Sequence, residues 1–409
     1  MRAYDPLDPA FNADPYGGYA DLRDHDPVHH RPADHRAPGF WALSRFEDIW
    51  QAVREPETFS SAQGLTFFGD EIGKLGLPPN LVMLDPPVHT RLRGLIGRGF
   101  TPKHVTRLED TLRRFARARI DEMATVVRDG GGADLHRDYS STVPTFVLSE
   151  LFGVPEADRV RFTPWVQQVT ALQDSTLNGT GIESAGAAGL TAVTELLAYF
   201  TDVIAERRAH PDHDPADLIG ALVAAELDGE RLSDWDILGF CFVVTAGGSD
   251  TTAALISHAV MLLGDAPDQR ALLLERPDLL GPAMLEFLRV ESSVQALART
   301  TTRDVTLHGV TIPAGEKVMM LYGSGNRDPR EFGADAAVLD VRRAPSRHLA
   351  FSSGPHFCIG SHLARLQARV AVEELLRAHP WITVDASRGT RHRSAFVRGW
   401  VELPVAELG

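Results

Sequence analysis

The ten residues Phe351-Ser-Ser-Gly-Pro-His-Phe-Cys-Ile-Gly360 decide the reading of this chain. They place Cys358 in a glycine-bounded loop directly ahead of the helical run Ser361-His-Leu-Ala-Arg-Leu-Gln-Ala-Arg369. A thiolate in such a loop can bind iron as an anionic axial ligand, and that ligand pushes electron density toward O–O cleavage. Backbone N–H groups of the turn and the positive end of the following helix temper its charge. Gly354 and Gly360 allow backbone geometries, and a close approach to a flat macrocycle, that side chains would block. The plainer alternative is core filler, because free cysteine is among the most buried residue types. Features elsewhere in the chain decide between the two.

The loop resembles the ligand signature of the cytochrome P-450 family, Phe-Gly-x-Gly-x-His/Arg-x-Cys-x-Gly. Phe351, Gly354, His356, Cys358 and Gly360 match it, and Ser352 stands where the pattern has its first glycine. The resemblance implies a mainly α fold with a minor β region. It further implies heme b held between a long central helix and the cysteine-ligand loop and helix, with the Cys358 thiolate on iron.

The second constellation lies in the apolar run 235–263, opened by Ser233 and Asp236 as a capping box. Its middle reads Gly247-Gly248-Ser249-Asp250-Thr251-Thr252. Two glycines can end one helix while Ser249 or Asp250 caps the next. Alternatively, one helix runs through with a local opening; each mid-helix glycine costs about 1 kcal/mol relative to alanine, so the pair suggests closeness to something flat. Under the resemblance, Asp250 and Thr251 are the acid–alcohol pair that delivers protons to bound dioxygen. Asp250, Ser249 and His258 interrupt the run and argue against a membrane span.

Glu286-Phe-Leu-Arg289 falls in a predicted helix over 282–291, an i,i+3 pair surrounded by Leu285, Phe287 and Leu288. Resemblance makes it a structural pair completed by a downstream arginine, for which Arg343 is the match and Arg342 the adjacent alternative. It also nominates anchors for two haem propionates: His89 and Arg93 of Asp85-Pro-Pro-Val-His-Thr-Arg-Leu-Arg93, then Arg299, His348 and His356. Asn326-Arg-Asp-Pro329 with Phe332, and Phe100-Thr-Pro102, are further landmarks. The likeness runs from about Asp14 to Leu403-Pro-Val405, nearly the whole chain.

Neither linker, repeat nor low-complexity tract divides the 409 residues, so one domain over 1–409 is expected. Helical periodicity is clearest in 106–127, 187–208, 235–263 and 364–378; strand-like pieces gather in 28–43, 305–318 and 395–405. Two cysteines exclude a disulfide framework and fit a reducing cytosol, with Cys241 read as core. The N-terminus has no apolar stretch of the signal-peptide or anchor kind, and a cytoplasmic protein is expected. A net charge of −14 argues against nucleic acid. Arg91, Arg93, Arg98, Lys103 and Arg107 form a local basic exception. They either steer an acidic ferredoxin or are an ordinary solvated set.

The sequence shows no nucleotide fingerprint and no second cysteine set, so electrons are expected from separate proteins. The resemblance suggests a ferredoxin and a ferredoxin reductase, and a reaction in which substrate, O2, two electrons and two protons give hydroxylated substrate and water. By family position the pocket draws on Phe67, Phe68, Val243, Gly247, Val294, Leu297, Phe396 and Val397, with further lining from 166–190. These residues suit a hydrophobic terpenoid, steroid, fatty acyl or polyketide compound. Gln168, Gln173, Gln295 and Arg398 are candidates for orienting a polar group. A peroxide-using haem-thiolate peroxygenase and a non-catalytic haem sensor are the rivals; Asp250-Thr251 and the lack of an output domain argue against them.

Overall fold

A 32-residue helix, Asp234–Asp265, forms the spine of the molecule. The computed structural model describes residues 4–68, 80–99, 106–177, 186–210 and 217–409. The predicted capping box starts the spine: the Ser233 hydroxyl accepts from Asp236 N at 3.1 Å, and the Asp236 carboxylate accepts from Ser233 N at 3.0 Å. No break occurs at Gly247-Gly248, so the two-helix alternative is set aside. The helix is apolar nearly all round because it is packed nearly all round, against Ser361–Ala378, Thr142–Leu151, Glu156–Leu177 and Leu280–Val290. By length and composition it could cross a bilayer, and the polar interruptions at Ser249, Asp250 and His258 do not prevent that; 67% of its most apolar window is buried in this fold.

The sequence-predicted helices appear as Glu109–Arg128, Gly186–Ala209, Leu280–Val290 and Ser361–Ala378. Among the described residues the β part is one five-stranded sheet, in the spatial order Val28–Arg31, Phe40–Leu43, Lys317–Met320, Leu297–Thr301, Phe59–Ser60, and four two-stranded pairs, two of which use the C-terminal strands Trp400–Glu402 and Val405–Glu407. Only the Phe40–Leu43 to Lys317–Met320 pairing is parallel. The stretch 305–318 divides: Val305–Leu307 and Val310–Ile312 make a hairpin, and Lys317–Met320 joins the main sheet. The hairpin turn places His308 and Gly309 at φ 51° and 80°, the doubly left-handed geometry that matches strand twist.

Two hydrophobic clusters result, a large helical one and a smaller one on the sheet. Leu349 belongs to the sheet cluster and Phe351 to the helical one. The cysteine loop therefore leaves the border between them.

Candidate active site

Local hydrogen bonds shape the loop before any long-range contact is considered. Cys358 N donates to Phe351 O at 2.9 Å, Phe357 N to Gly354 O at 3.1 Å, and Ser352 N to Leu349 O at 2.9 Å. Gly354 has φ 66°, and a Cβ there would lie 2.9 Å from Val53 O, so only glycine fits. The neighbouring backbone of Val53 and Arg54 is thus sufficient to require glycine there. Ser352, where the signature has glycine, also adopts a left-handed φ of 58°. Gly360 differs from Gly354 in having no backbone angle that calls for glycine. Its φ is −83°, which any residue adopts, and an added Cβ would merely touch Cys358 Sγ at 3.9 Å. Its N–H instead acts on the sulfur: the protein packed around the loop desolvates the Cys358 thiol and pushes it up although the residue keeps an exposed face, while the Gly360 N–H and the Arg93 charge oppose that rise. Coordination to a metal removes such a proton. The second cysteine, Cys241, is fully buried in the spine helix, as expected of core, whereas Cys358 is exposed.

Basic groups converge beside this loop. Arg93 Nη2 donates to Phe357 O at 2.6 Å. The rings of His89 and His356 stand 4.2 Å apart, and Ser61 Oγ lies 3.2 Å from His356 Nε2. Burial, then Arg299, His89 and Arg93, push His356 down to about 3; burial and Arg93 also lower His89. Arg299 is buried, with Nη1 donating to Ala298 O at 2.8 Å. His89 is 1% exposed, yet neither ring nitrogen has a hydrogen-bond partner among the described residues. A buried polar group without a partner is expensive, and two arginines beside such uncharged rings suit an anion. His89, Arg93, Arg299 and His356 therefore fit a doubly carboxylated flat group bound at Cys358. His348 faces Arg365 and Phe351 instead; its Nδ1 is buried without a partner, and burial with Arg365 holds it down at about 4.

On the spine helix, Gly247 is exposed in the middle of a core element, and a Cβ there would meet no atom within 4 Å. Val243, Asp250 and Thr251 are half-buried around it. The Thr251 hydroxyl donates to Gly247 O at 2.8 Å, back-bonding one turn earlier, so its oxygen lone pairs remain able to accept.

The structural triad assembles fully. Glu286 and Arg289 are both 0% exposed and joined in a two-bond fork, each bond 2.7 Å. Arg343 Nε reaches Glu286 Oε1 at 3.2 Å, whereas Arg342 is exposed against Asp340. Arg343 is the third member. Arg289 also donates to the carbonyls of Asn326, Ala336 and Val338, and Asn326 Oδ1 accepts from Leu349 N at 2.7 Å. The triad is thereby connected to the cysteine segment.

Several pocket expectations need correction. Phe67 and Phe396 are sealed in the sheet cluster, their ring centroids 5.1 Å apart, with Phe67 stacked on Phe40 at 4.6 Å. Phe68, Val294, Leu297 and Val397 keep partial exposure, and Val294 bridges Val397. Gln295 is buried, its Nε2 donating to Ser292 O at 2.6 Å and its Oε1 without a partner among the described residues, and Arg398 is held by Glu291, so both side chains are buried in the protein. Gln168 is exposed; the Gln173 side chain, Phe100-Thr-Pro102, Lys103 and the Arg98 side chain lie outside the described residues. In the basic set, Arg91 pairs with Glu230 at 2.6 Å and Arg93 turns in to the loop, which leaves Arg107 exposed. A crevice of about 360 Å3 between Leu84–Leu95 and Glu230–Asp236 contains none of the expected pocket residues.

Sequence reasoning missed the buried cluster of Tyr16, Glu291, Arg327 and Arg398, and the Asp85 carboxylate that accepts from Ser60 Oγ and Ser61 N. Only the Asp85 contact had a local signal, the helix-opening motif that follows it.

The cytochrome P450 family model matches residues 42–276 and 275–397. The chain belongs to the cytochrome P450 family. It is 43% identical over 395 residues to cytochrome P450 130 of Mycobacterium tuberculosis, covering 95% of this chain and 94% of that one. A methyl-branched lipid omega-hydroxylase of the same species is 35% identical over 398 residues, covering 95% and 90%. Among solved structures, the P450 CYP268A2 of Mycobacterium marinum in complex with pseudoionone matches with a TM-score of 0.84, 34% identity and complete coverage of both chains. As a P450 the protein is a monooxygenase. The family uses haem with a cysteine thiolate on iron, O2, a hydrophobic substrate and redox partners.

Proposed function

We propose that this P450 hydroxylates a hydrophobic small molecule of the terpenoid, steroid, fatty acyl or polyketide class, drawing electrons from a separate ferredoxin and ferredoxin reductase. In this reading residues 1–409 act as one domain in the cytoplasm. The observation that carries the assignment is the exposed Cys358 thiol at the head of Ser361–Ala378, flanked by buried His89 with both ring nitrogens unpartnered. Cys358 is the iron ligand, and Gly360 N–H tempers its charge. His89, Arg93, Arg299 and His356 hold the two propionates, with His348 beside Arg365 as a further contact. Haem, when bound, supplies the reduction of dioxygen and the transfer of one oxygen atom to substrate.

The chain's own part is positioning and proton supply. Thr251 keeps its hydroxyl oriented by bonding Gly247 O and accepts a hydrogen bond from the distal side. Asp250, half-buried next to it, carries protons between solvent and Thr251. Val243, Gly247, Val294, Leu297, Val397 and Phe68 supply the apolar wall. The Asp250–Thr251 pair favours the dioxygen route over a peroxygenase. The substrate class is supported by the lipid hydroxylase relative and by the pseudoionone-bound neighbour.

The test is the absorption spectrum of dithionite-reduced protein under carbon monoxide, with Cys358→Ala and Cys241→Ala alongside. A strongly red-shifted Soret band lost only in Cys358→Ala is expected. A band typical of histidine-ligated haem in well-folded wild type would overturn the ligand assignment. A screen of terpenoids, steroids and fatty acids by spin-state shift, followed by turnover with ferredoxin and reductase or with peroxide, then separates the two routes.

A further inference from the structure

We propose that Arg398 is a positioning residue for the substrate pocket: anchored on buried Glu291, it fixes the wall formed by Val397 and Val294 and so helps set which molecules fit. The inference rests on the reading above that Val294, Leu297 and Val397 face the substrate.

The backbone of this segment is tied down on one side. Arg398 N donates to Ser293 O at 2.7 Å, Gln295 N donates to Phe396 O at 2.7 Å, and Val294 bridges Val397. In extended chain, successive side chains point to opposite faces. Arg398 turns into the protein, and Val397, directly before it, is left on the other face with partial exposure.

What holds Arg398 is a buried knot. Its Nε donates to Glu291 Oε1 at 2.5 Å, Nη1 to Asn12 O at 2.6 Å and Nη2 to Ala13 O at 3.1 Å. Each of the three nitrogens of the fork makes a hydrogen bond to protein, so the guanidinium is held in place by protein acceptors. Glu291 Oε2 accepts in turn from Tyr16 Oη at 2.7 Å and Arg327 Nη2 at 3.3 Å, and Arg327 stacks 3.4 Å from the Tyr16 ring centroid. The pocket wall is thereby strapped to the N-terminal joint Asn12–Tyr16. Loosening the strap frees Val397 to move against Val294, which alters the fit of a bulky ligand and leaves the iron side alone. Arg suits this place because its planar fork spreads donors over three nitrogens that reach acceptors on Glu291, Asn12 and Ala13, whereas an ammonium must serve all its acceptors from one nitrogen.

The experiment titrates the haem-loaded protein with two nitrogen ligands, following the Soret shift. Imidazole needs little more than the iron, whereas clotrimazole carries three aryl groups that meet the walls. Arg398→Gln is expected to raise the clotrimazole Kd about tenfold, with Arg398→Lys in between and imidazole affinity within about twofold of wild type. Tyr16→Phe removes only one hydroxyl bond and is read the same way should the Arg398 variants fail to fold; a smaller rise confined to clotrimazole is expected. Equal shifts for both ligands, or none for either in folded variants, would overturn the positioning role and leave Arg398 a stabilising residue only. A wild-type Soret band unmoved by imidazole would instead overturn the haem-pocket reading and this inference with it, a failure distinct from loss of the size contrast.

Discussion

Removing the Glu286 carboxylate tests the internal scaffold most directly. Glu286 accepts two bonds of 2.7 Å from Arg289, one of 3.2 Å from Arg343 and one of 3.2 Å from Asp340 N. In Glu286→Ala the fully buried Arg289 guanidinium keeps its carbonyl partners and the Phe332 ring 4.8 Å away, which supply partial charge but no counter-ion. Breaking a buried pair from one side costs about 3–5 kcal/mol, a large share of the roughly 5–15 kcal/mol that stabilises an ordinary fold. Arg343→Ala is different. Its side chain is 19% exposed and its other ionic partner, Asp335, is 62% exposed. Glu286 keeps Arg289, so the cost is about 1 kcal/mol. At about 2 °C per kcal/mol in a chain of this size, thermal unfolding followed by circular dichroism should fall by about 6–10 °C for Glu286→Ala and about 2 °C for Arg343→Ala. Because Asn326 links this cluster to Leu349 N, Glu286→Ala should also release haem faster. Equal losses in the two variants, or a loss below about 2 °C for Glu286→Ala, would refute the argument that an uncompensated buried cation is the cost.

Thr251→Ala should go on consuming NADH with the reductase system while hydroxylated product falls and hydrogen peroxide rises; fully coupled hydroxylation would remove Thr251 from proton delivery. Ser352→Gly should raise stability by about 0.5–1 kcal/mol, because φ 58° is costly for an L side chain; chemical denaturation showing a loss would contradict that strain. Buried His136 is held down at about 4 by burial and His392, and His258 at about 3 by burial with Arg391 and Arg398, against the opposing pull of Glu291. Their stability contribution is fully present above the ordinary histidine pKa near 6.5 and is lost as pH falls toward 4, because the unfolded chain takes up protons that the fold refuses. Urea unfolding should therefore weaken by up to about 1.4 kcal/mol per pH unit per histidine below 6.5, less steeply in His258→Phe; a flat profile from pH 6.5 to about 5 would contradict it.

Features set by neighbours in sequence were legible; features set by distant partners were not. The Cys358 loop, the Ser233–Asp236 capping box and the unbroken spine follow from local patterns whose energetics act over a turn or two. Spacing identified Glu286 and Arg289, yet could not choose Arg343 over Arg342, since a one-residue change of side decides which guanidinium turns inward. The Glu291 knot joins residues 107 and 275 positions apart, and nothing in the local sequence of Tyr16 or Arg398 announces it. Phe67 and Phe396 look like any apolar lining in sequence; only their mutual stacking marks them as core. Strands of two residues, such as Phe59–Ser60, have no periodicity to detect and exist through their pairing alone.

A compositional bias ties these observations together. Of 41 basic residues only Lys74, Lys103 and Lys317 are lysine. Arg289, Arg398 and Arg93 each use the guanidinium fork to bind segments far apart in sequence, and a weakly hydrated planar cation tolerates burial better than an ammonium. Charge is conserved in an Arg→Lys change, so electrostatics alone forecasts little effect anywhere. Geometry forecasts a split. Arg289→Lys gives up most of the fork's bonds inside a site with no solvent to replace them, and should cost about 2–4 kcal/mol in thermal unfolding. Arg342→Lys, 67% exposed against Asp340 alone, should stay within about 0.5 kcal/mol. Near-equal effects at the two positions would mean that net positive charge, and not the fork, is what this arginine-rich chain requires.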